Sequence, residues 1–84
     1  MEITEIWSIS PERIDEFLLS IGGILQEDTG VYSFDGCQVR LTVLPDRMIG
    51  RFPICRTQVC FSGEKEKTEK IHWAFKLRFL SAGG

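Results

Sequence analysis

The segment from Ser10 to Gly23 constrains the fold more than any other part of this chain, because it marks both ends of a helix. Ser10 can cap the helix, and Pro11 suits its first position, where a missing N–H has no partner to lose. The pattern ends at Gly22-Gly23, so we predict a helix between a first strand at residues 3–9 and this glycine pair. Its apolar stripe, at helical spacing, is Ile14, Phe17, Leu18 and Ile21.

Alternating and turn-forming residues predict strands over the next part of the chain. We expect a short extended segment at residues 24–27 and two strands, 31–34 and 37–44, joined by a tight turn at Asp35-Gly36. Residues 45–53 are expected to form a long connection, which either presents its apolar side chains for recognition or buries them under the sheet edge. A last strand at 54–61 is then followed by a helix that opens at Ser62 and runs to about Leu80.

These elements predict one α+β domain over residues 1–84. The expected order is β-α-β-β-β-α, with one antiparallel sheet of three to five strands and both helices packed on one face. In the last two strands, Val39, Leu41 and Val43 share one side of the sheet with Thr57 and Val59, and the polar residues share the other.

Composition and charge exclude several functional classes. The 84 residues are 43% hydrophobic and 26% charged, which is typical of a globular domain, and no apolar run approaches the roughly 18 residues of a membrane span. The first 36 residues hold one arginine against eight acidic residues, and the other 48 hold nine basic against four acidic residues. Either the domain has one face of each sign or the two halves neutralise each other. With a pI near 5.3, we expect no nucleic-acid or membrane partner.

Four arginines within a short stretch are candidates for binding an anion or a partner. Arg40 and Arg56 are expected on the same side of the sheet, with Arg47 and Arg51 in the connection between their strands. Such a basic surface would accept a phosphate, a carboxylate or an acidic protein. The alternative is an ordinary solvated sheet face.

The second helix carries two apolar stripes where a helix covering a sheet needs one. Ile71, Phe75 and Phe79 form the first stripe, and the second, almost opposite, is formed by Trp73, Leu77 and Leu80. The second stripe must pack against the first helix, a second copy of the chain or another protein. We therefore predict an interface there, in a homodimer or with a protein partner.

Candidate catalytic and metal-binding residues are sparse. His72 is the single histidine, and we expect it to be exposed. Cys37, Cys55 and Cys60 have no CxxC spacing, and the last two point to opposite faces of a strand. The sequence therefore predicts reduced thiols, a cytoplasmic location, no metal or cofactor, and no catalytic site.

Gly83-Gly84 at the end of the sequence allows two interpretations. A terminal diglycine fits the narrow adenylating site that activates sulfur carriers and ubiquitin-like modifiers, because neither residue has a side chain. Helices also end on glycine because it adopts the left-handed conformation that satisfies the last carbonyls.

The last two-thirds of the chain resembles a known group of small modules. The run from Arg51 to Glu64, the helix with Phe75, Arg78 and Phe79, and Gly83-Gly84 are similar to α+β modules that accompany molybdopterin-type sulfur carriers, or are fused behind them, in some prokaryotes. The resemblance implies an accessory binding role in cofactor or sulfur metabolism. A carrier itself would be a β-grasp protein that begins with a hairpin, whereas this chain begins with a strand and a helix. A carrier activated at its diglycine is the alternative function.

Overall fold

The computed structural model describes residues 1–27 and 29–80, which form one five-stranded sheet and two helices. The strand order is β1-β5-β4-β3-β2, and each neighbouring pair is antiparallel. The predicted α+β class is therefore confirmed. The short extended segment near residue 25 is a strand, so the element order becomes β-α-β-β-β-β-α. The elements are β1 (Glu2–Trp7), α1 (Pro11–Ser20), β2 (Ile24–Gln26), β3 (Val31–Phe34), β4 (Cys37–Ile49), β5 (Phe52–Gly63) and α2 (Lys65–Leu80).

Helix α1 lies where the sequence predicts it. It begins at Pro11 after an extended Ser10, with φ −64° and ψ 144°. It is followed by Gly22 at a φ of 97°, and the amide of Gly23 donates to the Leu18 carbonyl at 2.9 Å. The predicted side-chain cap is wrong, because the Ser10 side chain makes no capping hydrogen bond.

Both helices cover the same face of the sheet, as predicted. Side chains alternate between the two faces along each strand, so three apolar residues point towards the helices and are buried there: Val39 of β4, and Val59 and Phe61 of β5. Phe75 of α2 lies at the centre, with its ring centroid 5.4 Å from that of Phe61 and 6.0 Å from that of Phe17 on α1. One aromatic side chain therefore joins the sheet to both helices. The buried cluster is completed by Ile14, Leu18, Tyr32 and Phe79.

The predicted start of the second helix at Ser62 is wrong. Ser62 still belongs to β5, where it lies opposite Gln38 of β4 and Glu2 of β1. Helix α2 begins only at Lys65. The sheet ladder on both sides of Ser62 outweighs its local tendency to start a helix.

The junction between β5 and α2 is closely packed around Gly63. This glycine has a φ of 138°, and its amide donates to the Met1 carbonyl at 3.1 Å. The next amide, of Glu64, donates to the Gly36 carbonyl at 2.9 Å. A Cβ on Gly63 would lie 2.8 Å from the Cys37 Cα and still closer to the Gly36 carbonyl oxygen. Only glycine fits this position without movement of the backbone.

The long connection predicted at residues 45–53 is wrong, because these residues extend β4 and β5 into a two-stranded hairpin. We call residues 45–53 the arm. β1 pairs with β5 only as far as Thr57, and β3 pairs with β4 only as far as Arg40, so the arm has no other strand beside it. A register shift between Leu44 and Arg47 adds one residue to β4, and this bulge accommodates Pro45, which cannot donate to a ladder.

The tip of the arm is exposed and apolar. The alternative in which its apolar side chains lie under the sheet edge is wrong, because Met48, Ile49 and Phe52 are 59%, 56% and 75% exposed. Gly50 supplies the positive φ, 64°, that the two-residue turn requires. The arm therefore presents bulky apolar side chains to solvent at the end of a hydrogen-bonded hairpin.

Candidate protein-binding surfaces

The candidate arginines share one side of the sheet but do not form one cluster. Arg40 lies opposite Cys60, and Arg56 lies opposite Leu44, on the face turned away from the helices. These two positions are separated by four residues of β5, or about 13 Å at roughly 3.3 Å per residue. The shared face agrees with the sequence, but the two guanidinium groups start too far apart to form one compact site.

The arm carries the other two arginines. Arg47 lies one paired position beyond Arg56 on the same face, and Arg51 lies in the turn at the tip. The Arg56 Nε donates to the Pro45 carbonyl at 3.2 Å, which holds this side chain against the bulge. The structure brings Arg47 and Arg56 to the base of the arm and leaves Arg51 apart. Anion binding by these residues stays a prediction.

The outer side of α2 is an exposed apolar face. Trp73, Leu77 and Leu80 are 62%, 52% and 58% exposed, so the alternative in which this stripe packs against α1 is wrong. With Lys76 they line a shallow groove of ≈450 Å³. Binding of a second copy or of another protein to this face stays a prediction.

The helix that carries this face is basic as a whole. Helix α2 holds five lysines and arginines against two glutamates, a net charge of +3. Lys67 forms an ion pair with Asp35 at 3.7 Å, between two largely exposed side chains. Such a pair contributes little to stability.

His72 is not exposed as the sequence predicts. Its side chain is 16% exposed, and its Nε2 lies 2.9 Å from Oε1 of Glu5 on β1. The Trp7 Nε1 donates to the same oxygen at 3.1 Å, and the His72 ring centroid lies 5.0 Å from that of Phe61. Burial alone would raise the pKa of Glu5, but the hydrogen bonds from His72 and Trp7 outweigh it and lower that pKa. The hydrogen bond between Glu5 and His72 therefore joins β1 to α2.

The thiols do not assemble into a site. Cys37, Cys55 and Cys60 are free, and the Thr4 hydroxyl donates to the Cys60 sulfur at 3.4 Å. Burial raises the pKa of the Cys37 thiol. In residues 1–27 and 29–80, no group of three or more His, Cys, Asp or Glu side chains is placed to hold a metal ion. No described helix is long and apolar enough to cross a membrane.

The candidate carrier tail, Gly83-Gly84, lies outside the described residues. Helix α2 extends to Leu80, four positions before Gly84. The diglycine thus follows a helix in the sequence, as expected.

Comparison with known proteins assigns the family. The sequence model for the family described as "Archaeal MoaD-like protein" matches residues 2–84. The chain belongs to the archaeal MoaD-like family. Membership relates it to small sulfur-carrier-like or molybdenum-cofactor-related proteins and confirms the resemblance seen in the sequence. A search of curated proteins finds no match to this MoaD-like chain.

Proposed function

We propose that this domain is a non-catalytic, protein-binding accessory module of molybdopterin-type sulfur transfer, and that the outer face of α2 is its docking surface. The observation that carries the proposal is the exposure of Trp73, 62%, on the side of the helix opposite the core. Exposed apolar patches with a polar rim are typical of protein interfaces, and tryptophan is enriched among the residues that dominate their affinity.

The charge of α2 favours a different protein over a second copy at this surface. A two-fold contact would place the same basic helix, with a net charge of +3, against itself. Like charges facing each other cost binding energy, whereas an acidic partner surface would gain from Lys76 beside Trp73. The proposed partner therefore has an acidic rim around an apolar patch that receives the indole ring.

Trp73→Ala is expected to weaken this interaction at least about 30-fold, because truncating an interface tryptophan typically costs 2 kcal/mol or more. The measurement is isothermal titration calorimetry of the full chain with the purified sulfur carrier and the purified carrier-activating enzyme from the same genome. Phe52→Ala is the matched control, because this phenyl ring is also exposed but lies on the arm.

Binding of either protein by the wild type, lost in Trp73→Ala and kept in Phe52→Ala, would support the proposal. It would be overturned if the wild type bound neither protein, or if Trp73→Ala bound as tightly as the wild type. Sedimentation equilibrium of Trp73→Ala would further distinguish the docking of another protein from the alternative, in which the stripe of Trp73, Leu77 and Leu80 joins two copies of the chain.

The second candidate is a sulfur carrier activated at Gly84, which the family assignment favours. ATP would adenylate the Gly84 carboxylate with loss of pyrophosphate, and the outer sulfur of a donor protein's persulfide would then displace AMP to give an acyl disulfide. A second thiol of the donor would cleave that disulfide, which releases the thiocarboxylate and leaves a disulfide on the donor. The reach of such a tail would be short. Since α2 extends to Leu80, the four remaining residues span at most about 14 Å when extended.

We expect protein isolated from its native host to carry no thiocarboxylate. Intact-mass spectrometry is the measurement, and it also establishes whether the native chain ends at Gly84. Replacement of one oxygen by sulfur adds about 16 Da. That shift, together with loss of molybdenum cofactor in a host lacking the last two codons, would make the carrier the function and remove the accessory proposal.

A further inference from the structure

A second groove lies beside α1 and has the opposite charge to the arm. It has a volume of ≈440 Å³ and lies between the first turns of α1 and strands β3 and β4. Its floor is apolar, with Leu41 half-buried and Val43 67% exposed, although both lie on the side of the sheet that faces the helices. Its rim is formed by Glu12, Asp15 and Glu16.

The carboxylates of this rim differ in their availability. Asp15 accepts a hydrogen bond from the Tyr32 hydroxyl at 2.5 Å, so it is held by its own chain. Glu12 and Glu16 are exposed and belong to neither of the ion pairs found among residues 1–27 and 29–80. No spacing in the sequence places Val43 beside these carboxylates. Glu12 and Glu16 are therefore available to pair with basic residues of another molecule.

The arm has the chemistry that would fill such a groove. Met48, Ile49 and Phe52 are its exposed apolar side chains. Arg47 and Arg51 are exposed, and neither belongs to an ion pair in the described part of the chain. With Asp46 as the one acidic residue, the arm has a net charge of +1.

The position of the groove relative to the arm suits an exchange between two copies. Val43, in the groove floor, lies opposite Thr57, and only the Leu44–Arg56 pair separates this pair from the arm. Six residues separate Val43 from Ile49, so the tip lies about 20 Å from its own groove at roughly 3.3 Å per residue. When two arms lie antiparallel about a two-fold axis, the tip of each one reaches the base of the other. The two-fold axis generates this contact twice, once for the arm of each copy.

We propose that two copies of this chain associate by exchanging arms. Met48, on the side of each arm that faces the helices, packs on Leu41 and Val43 of the other copy, and Arg51 in the turn pairs with Glu12 and Glu16 there. The contact buries side chains that are strongly exposed in one chain and matches a basic element to an acidic one. It does not use α2, so it leaves the proposed docking surface open.

Charge reversal tests the exchange, with the full chain studied by sedimentation equilibrium from micromolar to millimolar concentration. Variant one is Arg51→Glu, and variant two is Glu12→Lys with Glu16→Lys. We expect the wild type to be dimeric and each variant to dimerise at least about 100-fold more weakly, because like charges then face each other in both copies of the contact. An equimolar mixture of the two variants should form a heterodimer, since the acidic arm then meets the basic groove and the basic arm meets the acidic groove.

The mixture keeps the test decisive, because recovery of the dimer shows that both variants are folded. Circular dichroism of each variant alone gives the same check. A wild type that stays monomeric at millimolar concentration would overturn the proposal. So would a dimer that neither variant weakens, or two folded variants that fail to associate when mixed. Loss of the dimer in Trp73→Ala with both arm variants dimeric would assign self-association to α2 instead.

Discussion

Phe75→Ala is expected to lower the free energy of unfolding by about 3–5 kcal/mol, the usual cost of removing a buried phenyl ring and leaving a cavity. Phe75 is fully buried, and its ring centroid lies 5.1 Å from that of Trp7 and 4.7 Å from that of Phe79. It also contacts Phe17 and Phe61, so β1, β5 and both helices would face the cavity. The total free energy of unfolding of a small domain is only about 5–15 kcal/mol, so Phe75→Ala would remove much of the stability.

Urea unfolding followed by far-ultraviolet circular dichroism measures this change. Phe52→Ala is the control at a protein concentration low enough to keep the chain monomeric. It removes the same ring from a position that is 75% exposed, and should change stability by less than about 0.5 kcal/mol. Similar losses in the two variants would contradict the aromatic core described above.

Gly63→Ala is expected to cost about 2–4 kcal/mol, from a strained backbone together with steric overlap. The φ of 138° is unfavourable for any residue with a Cβ, and the new methyl group would lie 2.8 Å from the Cys37 Cα. The atoms that it meets belong to the backbone, so no side-chain rotation relieves the overlap. Moving the backbone of Gly63 away from that of Gly36 and Cys37 would disturb both the β4–β5 ladder and the start of α2.

Gly50→Ala separates these two contributions, because Gly50 also has a positive φ, 64°, but nothing lies within 4 Å of the added methyl group. It should therefore cost only the conformational part, about 1–2 kcal/mol. Thermal unfolding of both variants with the wild type gives the comparison. If Gly63→Ala were no less stable than Gly50→Ala, the close approach of Gly63 to Gly36 and Cys37 would not matter for folding.

The parts of the fold that the sequence predicts correctly are those with a local cause. Pro11 and Gly22-Gly23 delimit α1 through backbone preferences of the residues themselves. Gly36, with a φ of 80°, forms the turn expected at Asp35-Gly36. The alternation in β4 likewise places Val39 in the core, because successive side chains of a strand point to opposite faces.

The errors have causes that lie far away in the chain. Pro45 and Pro53 are normally signs of a loop, but the bulge in β4 accommodates Pro45, and the hairpin continues through Pro53 opposite Met48. Ser62 resembles a helix cap locally but is held in β5 by strands on both sides. The partner of His72 is Glu5, 67 residues earlier, so no local pattern indicates that the imidazole is covered.

The candidate surfaces were predictable to a similar extent. Helical spacing placed Trp73 opposite the core stripe, but only the packed structure shows that α1 does not cover it. The groove beside α1 combines Glu12 with Val43, which are joined by the tertiary fold and by no spacing in the sequence.

The pairing of β1 with β5 affects how this chain can fold while it is being synthesised. Glu2 lies opposite Ser62 and Trp7 opposite Thr57, so β1 must wait until β5, the last of the five strands, has been synthesised. Helix α1 waits longer still, because its Phe17 packs on Phe75 and Phe79 of α2. Closing such a long loop is entropically costly, so the β3–β4–β5 meander has time to form first. Until then the nascent chain exposes the apolar stripe of α1, and that is the period in which it most needs protection from aggregation.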